Sequence, residues 1–368
     1  MTRVVHLRSG QGLYGAERSL LSLAGATEPP LIPLVASLVR PGREDALGAA
    51  ARASGLQAVR IDAAGRVSLR ALAPIVRLGR DAILHAHDYK SLVLAVTAGL
   101  LSGAPVVATF HGDTAHSRLV RGYEALARRA ARRATAVAAT SEALAARIRA
   151  TSPGVPCHVI PNGIPLSSVP TLAEREEARA RLGIAGDVLA VAFLGRLSVE
   201  KAPEILLRAA RGTGLVVLVA GDGPLRRALE AEAGGATRFL GFVPDVRPVL
   251  AAADVLALPS LTEGLPIAVL EALAAAVPVV ASAVGSLPDV LGGGAGVLVP
   301  PGDAGALRAA LLDLRSPERR AALGRAGRAR VESRYAAAAM ARSYRELLYR
   351  PALARAGGTE ALPAVQPR

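Results

Sequence analysis

Tryptophan is absent from the 368 residues, and all aromatics together make up only 3%. A nucleic-acid module that stacks bases on side-chain rings would lack most of its rings. A single cysteine, Cys157, excludes an intrachain disulfide and a Cys-rich zinc site, and it suits a reduced compartment. A secretory signal is not expected, because Arg3, His6 and Arg8 interrupt the first ten residues. Long apolar runs are also scarce. The longest charge-free stretch near the front, Ser91 to Phe110, is cut by Gly103-Ala104-Pro105 and reads as a buried helix followed by a strand. These absences lead to the expectation of a cytoplasmic protein, soluble or peripheral on the inner face of the membrane.

What is present is a palette for packed helices and strands: 51% hydrophobic and 20% charged residues exclude a disordered chain. The length suits two domains of about 150 residues or a little more. The net charge of +14 is uneven, since residues 1–165 hold 20 Lys+Arg against 10 Asp+Glu and the remainder 24 against 20. Arg118, Arg121, Arg128, Arg129, Arg132 and Arg133 form the densest cluster. Within Ser117–Arg133, Leu119, Val120, Tyr123, Leu126 and Ala127 recur at helical spacing among these arginines. One reading is a helix packed on a sheet with solvated arginines; the other is a basic amphipathic helix attracted to anionic headgroups. Nucleic acid is not an expected partner.

Continuous Val/Ile/Leu runs alternate with helix-length Ala/Leu/Arg segments from end to end. Thirteen such runs read as strands covered on both faces, the pattern of doubly wound parallel sheets. Thirteen strands exceed one ordinary open sheet, so the chain is expected to divide. The Pro- and Gly-punctuated stretch Ile160-Pro161-Asn162-Gly163-Ile164-Pro165 is the natural break. The expected fold is thus α/β, with two Rossmann-like parallel-sheet domains facing a central cleft. Residues 1–165 form the first, residues 166–349 the second together with the terminal helices, and residues 350–368 a disordered tail.

Ligands of such sheets sit beyond the carboxyl ends of the strands, which directs attention to two segments. In Pro259–Ala276, PSLTEGLPIAVLEALAAA, a strand turns at Gly264 into a helix whose first turn is expected to hold Pro266. Backbone N–H groups at Leu265 and Ile267 would suit an anion or sugar hydroxyls. On one helix Glu263 and Glu271 would stand ~12 Å apart along the axis, able to address two parts of an extended ligand. In Gly195–Lys201, GRLSVEK, Arg196 and Lys201 bracket a loop after a strand and make a candidate diphosphate clamp. Lys201 is one of only two lysines in a chain that otherwise uses arginine.

These segments, in order with the N-terminal glycine loop and Gly15-Ala16-Glu17-Arg18, His111-Gly112, Val159–Gly163, Gly221–Pro224 and Gly241–Val246, resemble the GT-B glycosyltransferases of family 4. The resemblance spans almost the whole chain. It implies a retaining enzyme that moves a hexose-type sugar from a nucleotide-diphosphate sugar, such as a UDP- or GDP-sugar, to a hydroxyl acceptor. The acceptor would be a sugar, a lipid-linked group or a small molecule, and the setting cell-envelope glycolipid, polysaccharide or glycoconjugate synthesis. Carried over by resemblance, Arg196 and Lys201 neutralise the departing diphosphate, and Gly15 lets backbone approach it. Glu271 takes the ribose hydroxyls, Glu263 and Gly264 with Leu265 and Ile267 hold the donor, and His111 sits at the sugar. No cofactor is implied. With no D-x-D in the chain and no metal-ligand partners evident for His85 and His87, transfer without a metal is expected.

Two departures stand out: Tyr14 precedes Gly15 where the family has paired glycines, and Gly285-Ser286 with Asp289 replaces a glycine pair and a glutamate. Gly10, Gly12 and Gly15 also spell the dinucleotide fingerprint, but the second strand runs into Leu38-Val39-Arg40 without the carboxylate a ribose needs. A GT-B-fold sugar-nucleotide epimerase and a non-catalytic nucleotide-sugar binder are the alternatives.

Overall fold

The computed structural model describes residues 1–9, 12–64, 68–111, 127, 129–166 and 168–355. The chain divides into two compact units, Met1–Pro165 with Ala337–Arg368, and Leu166–Ala336.

The first unit is built on a seven-stranded sheet of β1 (Thr2–Ser9), β2 (Leu31–Val39), β3 (Gln57–Asp62), β4 (Ala82–Ala86), β5 (Val106–Phe110), β6 (Ala136–Ala139) and β7 (Cys157–Val159). Their order is β3-β2-β1-β4-β5-β6-β7, and every pair is parallel. Sheet order reverses direction between β1 and β4, which makes the space beyond their carboxyl ends the switch point of this sheet. Alternation splits each strand between two faces. Leu7, Leu84, Ala108 and Val137 join one core with Ile75, Leu92 and Ala95. Val4, Ile83, Val107 and Ala138 join the other, with Leu23 of helix Gly15–Gly25.

That second face corrects the expected boundary at the end of the chain. Helix Ala337–Tyr344, the π-turn Arg345–Tyr349 and helix Arg350–Arg355 close the first unit's core rather than the second's. Met340, Tyr344, Leu348, Tyr349 and Ala352 are buried there, and Ala337 N donates to Ile164 O at 2.8 Å. The Arg350–Arg355 part of the expected tail is therefore helix; residues 356–368 lie outside the described residues.

The second unit carries six parallel strands, β8 (Ala190–Leu194), β9 (Val216–Ala220), β10 (Thr237–Gly241), β11 (Val255–Leu258), β12 (Val279–Ser282) and β13 (Val297–Val299). The order β10-β9-β8-β11-β12-β13 puts its switch point between β8 and β11. Part of the arginine surplus is spent on structure here. Asp254, at the entry to β11, accepts from Arg175 at 2.6 Å, from Arg179 at 3.1 Å and from Ala190 N at 2.8 Å. These contacts pin helix Leu172–Arg181 to the sheet.

Of the basic segment Ser117–Arg133, residues 117–126 and 128 lie outside the described residues. Its end buries Ala127 and Ala131 in the first core and leaves Arg129, Arg132 and Arg133 exposed. Among the described residues no helix is long and apolar enough to cross a membrane.

Candidate active site

In the second unit the loops after β8, β9, β11 and β12 are stitched together at the switch point. Gly195 N donates to Ala220 O, Leu197 N to Asp222 O and Leu225 N to Leu197 O, each at 3.0 Å. Gly221 has φ +150°, and a Cβ there would stand 1.8 Å from Gly195 O, so only glycine permits this approach. Leu261 N donates to Glu200 O at 2.9 Å and joins the loop after β11 to the loop after β8.

The two charged groups singled out in these loops meet. Lys201 Nζ donates to both oxygens of Glu263, at 2.6 and 2.7 Å, and Ser260 Oγ donates to Oε1 at 2.6 Å. The Glu263 side chain is 5% exposed and that of Lys201 25%. An ammonium has three N–H donors, so the chelated carboxylate fixes Lys201 and leaves one donor for a further anion. Arg196, on the same loop, is exposed.

The helix beyond this loop begins later than the sequence pattern suggests. It spans Ile267–Ala274, with Pro266 at the N-cap and no side chain capping it. Glu263 therefore sits in the loop, not on the helix, and the ~12 Å axial separation from Glu271 does not apply. Pro266 has ψ +119°, outside the helical region, and the Lys201 chelate holds Glu263 back toward β8. Glu271 lies in the second turn and is half-buried, while Leu265 and Ile267 are buried at the helix mouth. Val269 N donates to Pro266 O at 3.2 Å, and without a side-chain cap the N–H groups of Ile267 and Ala268 are left for a ligand.

A buttress behind Glu263 went unassigned in the sequence. Ser286 donates to Gly264 O through both its hydroxyl, at 2.5 Å, and its backbone N–H, at 3.2 Å. Gly285, at φ +59°, brings its α-carbon so near that a Cβ would fall 2.1 Å from Glu263 O. Gly285-Ser286, which reads as a departure from the family pattern, is the support of the Glu263–Gly264 loop. Ser260 was equally unsignalled, since a serine after a strand is ordinary.

In the first unit, the switch point between β1 and β4 is lined by charge. Arg8 Nε donates to Glu17 Oε1 at 2.8 Å, Glu17 Oε2 accepts from Tyr14 N at 3.1 Å, and Ser9 N donates to Asp88 Oδ2 at 2.6 Å. Glu17 is buried and holds the loop that leads into Gly15, the first residue of its helix. The loop residues 10–11 lie outside the described residues.

Beneath this edge runs a layer of imidazoles. His6 Nδ1 is 3.0 Å from His87 Nε2, and His87 Nδ1 is 3.2 Å from His111 Nε2. His85 is engaged at both nitrogens, with Tyr349 Oη at 2.9 Å and Thr109 Oγ1 at 2.8 Å; Thr109 also meets Tyr344 Oη at 3.0 Å. Burial pushes His6 and His111 down to about 3 and holds His85 and His87 well below the ordinary histidine value. The Arg8 charge adds to the effect at His87 and His111. All four rings are neutral at pH 7.

His6, absent from the sequence-based weighing of metal ligands, joins His85 and His87 in a cluster with one nitrogen each within 4.8 Å. The arrangement does not fit a metal. His85 spends both nitrogens on hydroxyls, and its ring centroid lies 4.0 Å from that of His87 at 34°, so the rings overlap rather than converge edge-on.

Similarity to known proteins follows the two units. The Glycosyltransferase Family 4 model matches residues 37–168, and the model of Glycosyl transferases group 1 matches residues 189–316. A 2-deoxystreptamine N-acetyl-D-glucosaminyltransferase of Streptomyces fradiae is 33% identical over 67% of this chain and 65% of its own length. A putative teichuronic acid biosynthesis glycosyltransferase of Bacillus subtilis is 34% identical over 62% of this chain and 60% of its own. The chain thus aligns with just under two thirds of the length of these relatives. The HepE protein of Anabaena, solved in complex with UDP-glucose, superposes with a TM-score of 0.83 at 21% identity, covering 95% of this chain and 100% of its own. With two parallel-sheet units matched in order by two glycosyltransferase models, the chain belongs to the GT-B glycosyltransferases of the family 4 type.

Proposed function

We propose that the chain transfers a hexose-type sugar from a nucleotide-diphosphate sugar to a hydroxyl acceptor, with retention of anomeric configuration and without a metal. The observation that carries the reading is the cationic pair Arg196 and Lys201 at the switch point of the second sheet, beside the uncapped helix Ile267–Ala274. Lys201, anchored by Glu263, would offer its third N–H to a phosphate oxygen, and Arg196 a planar fork to the same group. The two would stabilise charge that develops on the leaving diphosphate, the task a metal performs elsewhere. Glu271 would accept from ribose hydroxyls. Glu263 would offer its remaining lone pairs to the sugar, with Gly264, Leu265 and Ile267 lining the donor.

Glu263 is a poor nucleophile, because Lys201 and Ser260 occupy its oxygens. Retention would therefore proceed without a covalent glycosyl-enzyme, unlike the two-carboxylate glycosidases. As the family resemblance implies, His111 would act at the sugar and Gly15 at the diphosphate. A UDP-sugar is favoured by the UDP-glucose that HepE binds, and a cell-envelope acceptor by the teichuronic acid relative. The test incubates purified chain with UDP-, GDP- and ADP-sugars in EDTA, follows nucleotide release, and reads the first product's anomer by NMR. Release with a retained anomer is expected. An inverted product, or an epimerised sugar still on its nucleotide, would overturn the reading.

A further inference from the structure

The chain of three imidazoles in the first unit has a property that no single ring has. Each neutral imidazole carries one N–H and one lone pair. Two contacts link the three rings, His6 Nδ1 to His87 Nε2 and His87 Nδ1 to His111 Nε2. Three protons serve two bonds, so one proton is left over at one end and one lone pair at the other. The two ends are His6 Nε2 and His111 Nδ1, both buried nitrogens with no hydrogen-bond partner among the described residues. Orientation is all-or-none: reversing one proton forces the next to reverse as well.

The surroundings of the two ends differ. His6 lies fully buried in the middle of β1, between Val35 of β2 and His85 of β4. Among the described residues no acceptor meets its Nε2, and an orphan N–H is the costlier defect in such a place. At the other end, Asn162 lies beside His111. Its Oδ1 accepts from Ser19 Oγ at 2.7 Å. The His6 end thus favours one direction, in which His6 donates to His87 and His87 donates to His111.

We propose that His6 and His87 are positioning residues that hold His111 as the Nδ1–H tautomer, so that it meets the donor sugar as a hydrogen-bond donor to an oxygen and not as a base. The proposal rests on the reading that His111 contacts the sugar. Its partner atom would be an acceptor oxygen, either a sugar hydroxyl or an oxygen that gains charge as the bond to the diphosphate breaks. The neutrality of all three rings gives the chain its proton count, and the unfilled Nδ1 is the valence a ligand would satisfy.

Two measurements test it on the full chain. With 15N-labelled histidine, long-range proton–nitrogen correlation reads each tautomer without substrate, and His111→Gln assigns the signal. His111 protonated at Nδ1 and bare at Nε2 is expected; the reverse tautomer overturns the proposal whatever the enzyme does. Kinetics then compare His87→Leu with His87→Asn. The leucine removes the donor to His111 Nε2, and kcat should fall about tenfold or more with UDP affinity unchanged. The asparagine places an amide N–H near the position of Nδ1 and should restore most of kcat. Equal losses in the two variants, both folded by thermal melting, would make His87 a packing residue and overturn the proposal. Absence of any transfer by the wild-type chain would count against the functional reading alone, with the NMR still deciding the tautomer.

Discussion

Removing Lys201 tests both the fold and the chemistry of the second unit, and the two effects can be separated. In Lys201→Met, the Glu263 carboxylate, 5% exposed beside Lys201, loses its counter-charge and keeps, among the described residues, the Ser260 hydroxyl at 2.6 Å. Breaking a fully buried ion pair costs about 3–5 kcal/mol. The Lys201 side chain is 25% exposed, so water screens the pair in part and about 2 kcal/mol is expected. For a unit the size of Leu166–Ala336 that lowers its Tm by about 4–8 °C. Glu263→Gln removes the stranded charge, so Lys201→Met/Glu263→Gln should regain at least about 1 kcal/mol relative to Lys201→Met. Urea unfolding followed by far-ultraviolet circular dichroism gives the cycle, since the chain has no tryptophan to report by fluorescence. Donor turnover should stay lost in the double variant. A Lys201→Met variant within about 0.5 kcal/mol of wild type, or additive single effects, would refute the chelate as an anchor.

Gly285→Ala places a Cβ 2.1 Å from Glu263 O at φ +59°, whereas Gly293→Ala, at φ +69°, meets nothing within 4 Å. Both should lose about 1–2 kcal/mol of stability to backbone strain, but only Gly285→Ala should lower kcat/KM tenfold or more in a donor-turnover assay. The four neutral histidines make the first unit acid-sensitive: from about 6.5 down to about 3 the unfolded chain binds protons that His6 and His111 refuse when folded, so stability falls with pH across that window. Between pH 7 and 5 each such ring contributes up to about 2 kcal/mol, and His6→Phe should flatten the change in urea midpoint; an unchanged slope would contradict a buried neutral His6. The exposed Arg129, Arg132 and Arg133 should recruit the chain to anionic vesicles with about 1 kcal/mol each. Co-sedimentation lost in salt and on charge reversal is expected, and equal recovery in the supernatant with anionic and neutral vesicles would refute it.

The strands were legible because each is a short continuous run, such as VAFLG or VVLVA, bounded by glycine or a polar turn. Post-strand position then marked Arg196, Lys201, His111 and Glu263. Partnership was not legible. Lys201 and Glu263 stand 62 residues apart, and they meet because β8 and β11 are neighbours, which depends on strand order and not on local pattern. Residues 337–355 were misplaced for the same reason: an Ala/Leu/Arg helix reads alike whichever sheet it covers, and its commitment lies in Tyr349 and Tyr344 reaching His85 and Thr109. His85 and His87 sit at strand period and share a face, but their link to His6 needs β1 beside β4. Pro266 marked the helix start one residue early: its φ of −74° suits a first helical turn, but its ψ of +119° leaves it at the N-cap.

The central claim is that Arg196 and Lys201 bind a nucleotide diphosphate without a metal. Calorimetric titration of UDP and of GDP into the full chain in EDTA tests it most directly, repeated with Arg196→Ala and Lys201→Ala. Saturable binding of one nucleotide, weakened about 10²-fold by each substitution, is the expected result, equal to about 2.7 kcal/mol per cation. Wild-type affinity in both variants, or binding that appears only when a divalent metal is added, would contradict it.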